Sequence, residues 1–392
     1  MQKKWCVGIV GSGKMGSNIA EYLIEFDMRI IWVVHTVAAC DEKNTLLRKR
    51  LSRKVKNGAL TAGDAEKKEN DLLITTDSNC LAGTDIILEC ISENMSAKQE
   101  LFRILSLIIH ESTVCLSNTS SLPLDKVFTG LAHARCAGLH FFCPVQLKKN
   151  VEINVLPDTS ENVKDTINKF VQYINCVPIV LEQPDHFALN RIFLPFFAQA
   201  CRCIKNYDLT INEIDGAVES EMFPTGPFRF MESVGIGVMS ESVVQYTKGN
   251  VSCELYDPLK QLLCGVLAAN QDEKRKVCFD RRDAVTDSDT CKENKIKTEN
   301  IQKAILCMKA VFVNTFFTEV SKKYTAYRTL ATAVSEYIGL SDSNVKALLE
   351  SPGVEIADTL QNLYSINGYE EYRMVSLLNE TISRQACTRG LS

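Results

Sequence analysis

Pairing patterns are what this 392-residue chain lacks first. Its sixteen cysteines include no C-x-x-C spacing and lie mostly singly in apolar stretches, as at Cys6, Cys90, Cys115, Cys136 and Cys176. Cys201 and Cys203 stand two apart where the pattern is helical, so they point to different faces. This usage excludes a zinc centre and a disulfide scaffold and fits reduced thiols packed as small hydrophobes; no metal site is expected. There is no surplus of positive charge: 44 Lys and Arg against 48 Asp and Glu leave a net −4, which excludes a basic field for nucleic acid or an anionic membrane. No apolar run approaches the ~20 residues of a membrane span. The first residues lead directly into an apolar run, so no leader is expected and the chain reads as cytoplasmic.

What is present suits a globular protein of two or three domains, with 45% hydrophobic and 23% charged residues. Cys6 to Val10 is a short apolar run with the look of a strand buried on both faces. Gly11-Ser12-Gly13-Lys14-Met15-Gly16 follows, and then Met15, Ile19, Tyr22, Leu23 and Phe26 recur at helical spacing. Strand, Gly-x-Gly-x-x-Gly and helix in that order form a dinucleotide-binding fingerprint. The first glycine permits the tight turn, the second lets backbone approach a pyrophosphate, and the third lets helix pack on strand. Free N–H groups at the helix start would face the phosphates. The second strand, read over residues 29–34, should end in an acidic residue that holds the ribose hydroxyls. Val34 stands there instead, followed by His35 and Thr36, with no arginine to attract a 2′-phosphate. NAD is the expected cofactor, and NADP is the alternative.

Strand patterns recur at 86–90, 114–116, 136–139 and 177–181, and from Phe187 onward the periodicity is helical only. That order defines an α/β domain with a Rossmann-type doubly wound sheet, followed by an all-α domain. The expected boundaries are 1–183 for the nucleotide-binding domain, with a helical hairpin at about 36–72, and 184–269 for a first helical unit. A charged linker at 270–300 and a second helical unit at 301–392 complete the chain. In the last unit Ile305, Met308, Val311, Phe312, Phe316 and Val320 form a core-facing stripe. A weak echo relates Thr210–Met222 to Thr325–Tyr337, each with Ala-Val before Ser and Glu.

Of five histidines, only His140 lies just past a predicted strand, at the edge where doubly wound sheets place ligands. Glu152 enters another strand, so the two side chains can meet, and a carboxylate on the far nitrogen would set the tautomer and stabilise an imidazolium. Beyond the glycine fingerprint the chain holds Glu89-Cys-Ile-Ser-Glu93-Asn94, Ser117-Asn118-Thr119-Ser120-Ser121 and Gly138-Leu139-His140-Phe141-Phe142-Cys143-Pro144. Val151-Glu152-Ile153, Asn190-Arg191 and Gly226-Pro227-Phe228 follow. In order and spacing, over about residues 7–238, these resemble the L-3-hydroxyacyl-CoA dehydrogenase family.

The resemblance implies a helical domain that meets the Rossmann-type domain at an active-site cleft. It also implies that hydride passes between a nicotinamide cofactor and C3 of a 3-hydroxyacyl or 3-oxoacyl thioester. His140 would be the acid/base, Glu152 its support, and Ser120 and Asn190 polar contacts to substrate. Gly11, Ser12, Gly13, Lys14, Met15 and Gly16 would cradle the cofactor, with Glu93, Lys98, Ser120 and Cys143 around it. The basic stretch Lys49, Arg50, Arg53, Lys54 and Lys56 sits where the family covers coenzyme A, and Lys56 and Arg50 are the expected contacts, beside Ser120. An acyl carrier protein is the other candidate for that face. The chain departs from the family at Cys143, Asp185-His186, Glu232 and Gly237. A monomer is expected over a homodimer, because the extra helices could cover the face through which single-unit members pair. A dehydrogenase of a free hydroxy acid or sugar acid, and a non-catalytic sensor of nucleotide or acyl thioester, are the competing readings.

Overall fold

The structure is a computed structural model that describes residues 4–181, 187–248, 252–269, 279, 291–350 and 353–389. The chain divides into two compact units, Met1–His186 and Phe187–Ser392.

The first unit is an eight-stranded sheet with helices on both faces. Its elements run β1 (Cys6–Val10), α1 (Lys14–Leu23), β2 (Arg29–Val33), α2 (Val37–Lys56), α3 (Ala62–Asn70), β3 (Leu72–Thr75), β4 (Ile86–Glu89) and α4 (Met95–Leu105). They continue with β5 (Val114–Ser117), α5 (Leu124–Val127), β6 (Cys136–Phe141), β7 (Asn150–Val155), α6 (Glu161–Tyr173) and β8 (Val177–Leu181). Strand order is β3-β2-β1-β4-β5-β6-β7-β8, parallel as far as β6, with β7 antiparallel to β6 and β8 parallel to β7. The chain reverses its winding between β1 and β4, which opens a crevice at the carboxyl ends of those strands. Alternation along the strands feeds two cores. Val7, Ile9, Ile30, Trp32, Leu88 and Leu116 pack with Ile19 of α1 and Ile167 and Phe170 of α6. On the other face Ile31, Ile87 and Cys115 pack with Phe102 and Leu105 of α4 and Leu124 of α5.

Between β2 and β3 stand two helices. Thr36 and Thr61 each cap a helix by accepting an N–H from the first turn, Ala39 and Asp64 respectively. Gly58, at φ +69°, makes the turn between them, a conformation that costs glycine no Cβ clash. Few of their residues are buried, so α2 depends on side-chain ties: Arg50 pairs with Glu21 of α1, and Lys54 Nζ lies 2.5 Å from Glu25 Oε2.

The second unit comprises α7 (Ala188–Tyr207), α8 (Ile211–Glu221), α9 (Pro227–Val234), α10 (Ile236–Thr247) and α11 (Asp257–Ala269), then α12 (Cys291–Ser321), α13 (Tyr327–Ile338), α14 (Asp342–Glu350), α15 (Val354–Asn367) and α16 (Ser376–Arg389). A 3₁₀ turn precedes the last helix of each five, at Cys253–Tyr256 and Glu370–Tyr372. The same succession therefore occurs twice, and the echo at Thr210 and Thr325 marks the entries to α8 and α13. The two long helices α7 and α12 pack on each other, with Phe312 against Phe193, Phe196 and Phe223 at ring centroid distances of 5.6, 6.1 and 5.0 Å. Asn314 of α12 donates to the carbonyls of Glu371 and Arg373 and accepts from Val375 N–H, each at 3.0 Å, which seats the second 3₁₀ turn.

Two expectations change here. The linker placed at 270–300 ends inside α12, which starts at Cys291; residues 270–278 and 280–290 lie outside the described residues. The segment 291–300 is rich in Lys and Glu, which are good helix formers, so its polarity does not interrupt the helix. Nor is the chain without a stretch of membrane-spanning length. By length and composition Lys295–Ser321 of α12 passes for a membrane-spanning helix, because an 18-residue window within it has a mean hydropathy of 1.3, yet 72% of that window is buried within the protein. All residues from Ala310 to Phe317 are buried, so this stretch of α12 is covered on every side by the helical core.

Candidate active site

The glycine turn lies at the carboxyl end of β1, and its backbone is held from β2. Gly11 N–H donates to the Val33 carbonyl at 3.0 Å, and Trp32 Nε1 donates to the Gly11 carbonyl at 2.8 Å. Gly11 has φ +121°, and a Cβ there would come within 2.4 Å of the Cys90 carbonyl oxygen. A Cβ on Gly16 would meet the Gly11 carbonyl at 2.2 Å, so both positions require glycine for close packing. Gly13 differs: nothing lies within 4 Å of where its Cβ would be. That open backbone, ahead of a helix whose first turn has no side-chain cap and no acidic residue, suits a pyrophosphate. Ser12, Lys14 and Met15 line the same turn. These features fit a nicotinamide dinucleotide, whose nicotinamide supplies the hydride acceptor when it is bound.

The β4 and β5 ends hold a buried ionic network. Lys98, on the first turns of α4, is 1% exposed, and its Nζ lies 2.5 Å from Glu89 Oε1 and 3.3 Å from Glu93 Oε2. Glu89 is fully buried at the last position of β4, opposite Ser117 of β5; Ser117 Oγ donates to its Oε2 at 2.5 Å, and Ile91 N–H donates to its Oε1 at 2.8 Å. Glu93 Oε1 accepts from Thr119 Oγ1 at 2.5 Å, Ser120 N–H at 3.0 Å and Ser121 Oγ at 3.0 Å. Burial opposes the charges on Lys98 and Glu93, but the pairing overcomes it. Lys98 is raised above the usual lysine range by Glu89 and Glu93, and Glu93 is held below the usual carboxylate range by Lys98 and its hydroxyl donors. The network fixes the loop after β5, and with it Ser120.

His140 and Glu152 face each other across the antiparallel β6–β7 pair, in direct register. His140 Nδ1 lies 2.9 Å from Glu152 Oε2, the carboxylate is fully buried, and the imidazole is 12% exposed. Phe142 meets the ring edge-on at 4.8 Å. Asn118 Oδ1 accepts Phe141 N–H at 2.9 Å, so the loop that carries Ser120 is tied to the strand that carries His140. With Nδ1–H donated to the carboxylate, the neutral imidazole keeps its lone pair on Nε2, the arrangement of a general base.

The structure thus brings His140 and Glu152 together and joins Glu93, Lys98 and Ser120 through one network. Cys143 follows β6 at a cis Cys143–Pro144 bond and is half-buried. Asn190 is half-buried on the first turn of α7, in the second unit. The two expected coenzyme contacts differ. Lys56 is exposed at the end of α2, whereas the Arg50 guanidinium is committed to Glu21. Asp185 and His186 lie outside the described residues. Glu89 carried no expected role beyond its place in a motif; the available signal was a carboxylate ending the otherwise apolar Ile86-Ile-Leu run. Among the described residues no cluster of three metal-binding side chains occurs.

The glycine turn suits a dinucleotide, and on the neighbouring strands β6 and β7 a buried carboxylate stands behind an imidazole. The family model "3-hydroxyacyl-CoA dehydrogenase, NAD binding domain" matches residues 6–184, and "3-hydroxyacyl-CoA dehydrogenase, C-terminal domain" matches residues 187–264. The chain is 32% identical to the mitochondrial hydroxyacyl-coenzyme A dehydrogenase of Sus scrofa, over 59% of this chain and 76% of that protein. It is 29% identical to the Homo sapiens enzyme of the same name, over 65% and 84%. The solved structure of 3-hydroxybutyryl-CoA dehydrogenase from Escherichia coli K12 shares the fold of the whole chain. Its TM-score is 0.78 at 19% identity, covering 98% of this chain and 100% of that one. The chain belongs to the 3-hydroxyacyl-CoA dehydrogenase family and is an NAD-dependent oxidoreductase.

Proposed function

We propose that His140 and Glu152 form the acid/base pair of this dehydrogenase, and that its substrate is a 3-hydroxyacyl thioester of coenzyme A. The observation that carries the first part is the 2.9 Å contact between His140 Nδ1 and the fully buried Glu152 carboxylate. Glu152 holds the ring in one tautomer, so that Nε2 takes the proton of the C3 hydroxyl as the substrate is oxidised. The carboxylate then offsets the positive charge that the ring acquires. In reduction the same Nε2 returns the proton to the C3 oxygen. Ser120, held by Glu93, is by resemblance the polar contact to that oxygen.

Coenzyme A recognition falls to α2. With Arg50 and Lys54 turned to Glu21 and Glu25, the exposed face keeps Lys49, Arg53 and Lys56 at helical spacing and outside any ion pair found among the described residues. Three cations along one helix face suit the phosphates of a nucleotide-like carrier. The test follows NADH absorbance while 3-oxoacyl-CoA thioesters of graded length, the matching free acids and the matching acyl carrier protein thioesters are supplied. Turnover confined to CoA thioesters is expected; equal turnover of free acids would overturn the substrate assignment, and preference for the carrier protein would reassign the α2 face.

A further inference from the structure

Two features of the second strand's end separate this chain from a dinucleotide site built to reject a 2′-phosphate. Such a site ends β2 in a carboxylate, which binds both ribose hydroxyls and repels a phosphate on either. Here the position is Val34. It is 3% exposed, belongs to the core cluster under α1, and uses its N–H on the Thr75 carbonyl at 2.9 Å. Its side chain points into the core and can neither bind nor repel a ribose substituent.

The next residue takes the exposed place. His35 Nδ1 lies 3.0 Å from Ser12 Oγ, and Ser12 is the residue between Gly11 and Gly13. The imidazole therefore stands beside the glycine turn, at the edge of the sheet where the adenosine ribose of a bound dinucleotide must run. With Nδ1 engaged by Ser12, Nε2 is the nitrogen turned to solvent. The first turn of α2 beside it has no acidic residue. The acid beyond the neighbouring strand β3, Asp77, has its Oδ1 taken by the backbone and side-chain amides of Asn79, at 2.9 and 2.8 Å.

We propose that His35 is the residue that meets the adenosine ribose, and that the chain accepts the 2′-phosphorylated dinucleotide about as readily as NAD. Ser12 holds the ring, Nε2 hydrogen-bonds either a ribose hydroxyl or a phosphate oxygen, and the buried Val34 leaves room for both. This deepens the dinucleotide assignment and rests on it.

The experiment titrates the wild-type protein with NADH and with NADPH, reading nicotinamide fluorescence and, separately, calorimetric heat, with no substrate present. Dissociation constants within roughly tenfold of each other are expected, since a dedicated carboxylate or arginine would separate them by more. His35→Asp restores a carboxylate at an exposed position. It should weaken NADPH by roughly tenfold or more through like-charge repulsion while NADH changes little. His35→Ala should weaken both dinucleotides together. Wild-type preference for NADH beyond about a hundredfold (a difference of about 2.7 kcal/mol), or a His35→Asp ratio equal to wild type, overturns the inference and leaves NADH binding intact. Failure to bind either dinucleotide would overturn the dinucleotide site itself, a result distinct from the first.

Discussion

Replacing Lys98 by methionine removes one positive charge from a place that water does not reach and keeps nearly the same side-chain volume. Glu89 then stays fully buried with only Ser117 Oγ and Ile91 N–H as donors, and Glu93 keeps Thr119, Ser120 and Ser121. Breaking a buried pair by removing one partner costs about 3–5 kcal/mol. The surviving donors place the expected loss at the low end, about 3 kcal/mol at pH 7. The pH dependence tests the cause. In the wild type Glu93 is held below its unfolded value, so its contribution is present above that value and is lost only as pH falls through the folded one. Lys98 is raised, so its contribution is complete below the unfolded lysine pKa and fades only as pH rises through the folded value. Between pH 7 and 5 the wild type therefore changes little on account of these groups. In the variant Glu93 loses the ammonium that held its carboxyl down while its burial remains, and that burial pushes it above its unfolded value. The folded variant then binds protons that its unfolded chain does not, and its deficit shrinks as pH falls from 7 toward 5. Native-state hydrogen exchange of the β4 and β5 amides reads the first unit alone. Adding Glu89→Gln to Lys98→Met should recover part of the loss, because a neutral amide tolerates burial better than an unpaired carboxylate. A loss below about 1 kcal/mol, or one that stays constant from pH 7 to 5, would refute the argument, since an exposed pair behaves that way.

His140→Gln should lower turnover by roughly 10²–10⁴ with little change in NADH affinity, the usual scale for loss of a general acid/base. Glu152→Gln should also cost heavily, and the double variant should be little worse than His140→Gln alone because the two groups act as a unit. Near-normal turnover in His140→Gln, measured beside thermal melts, would remove the basis of the mechanism. On α2, Arg53→Glu and Lys56→Glu together should raise KM for the CoA thioester by roughly tenfold or more while leaving kcat and the melting temperature close to wild type. The same change in Arg50 should instead loosen α2 from Glu21, which hydrogen exchange across the helix would register.

Much of this protein was legible along the chain because the relevant rules act over short distances. The strand, glycine turn and helix at Cys6–Leu23 follow from alternation, from helical spacing and from glycines whose Cβ atoms would collide with Cys90 and Gly11. The helical hairpin expected at about 36–72 is present as α2 and α3, with its turn at Gly58. His140 and Glu152 were legible as a pair because two strands that close in sequence, joined by a short loop, have few registers available, and one of them sets those residues opposite. Tertiary structure decided what depends on contacts across the fold. That Glu89 and Ser117 are opposite each other, with Lys98 folded onto Glu89, follows from parallel pairing through a helical crossover, whose register no local pattern states. Arg50 and Lys56 look alike in sequence, and only the packing of α2 on α1 turned one toward Glu21 and left the other exposed. The charged start of α12 read as a linker because polarity resembles exposure, whereas helix propensity and the core around its later turns kept it helical. His35 met Ser12 for the same reason that Val34 is buried: pairing of β2 with β1 sets the inward and outward positions at once, and it does so across twenty-three residues of chain.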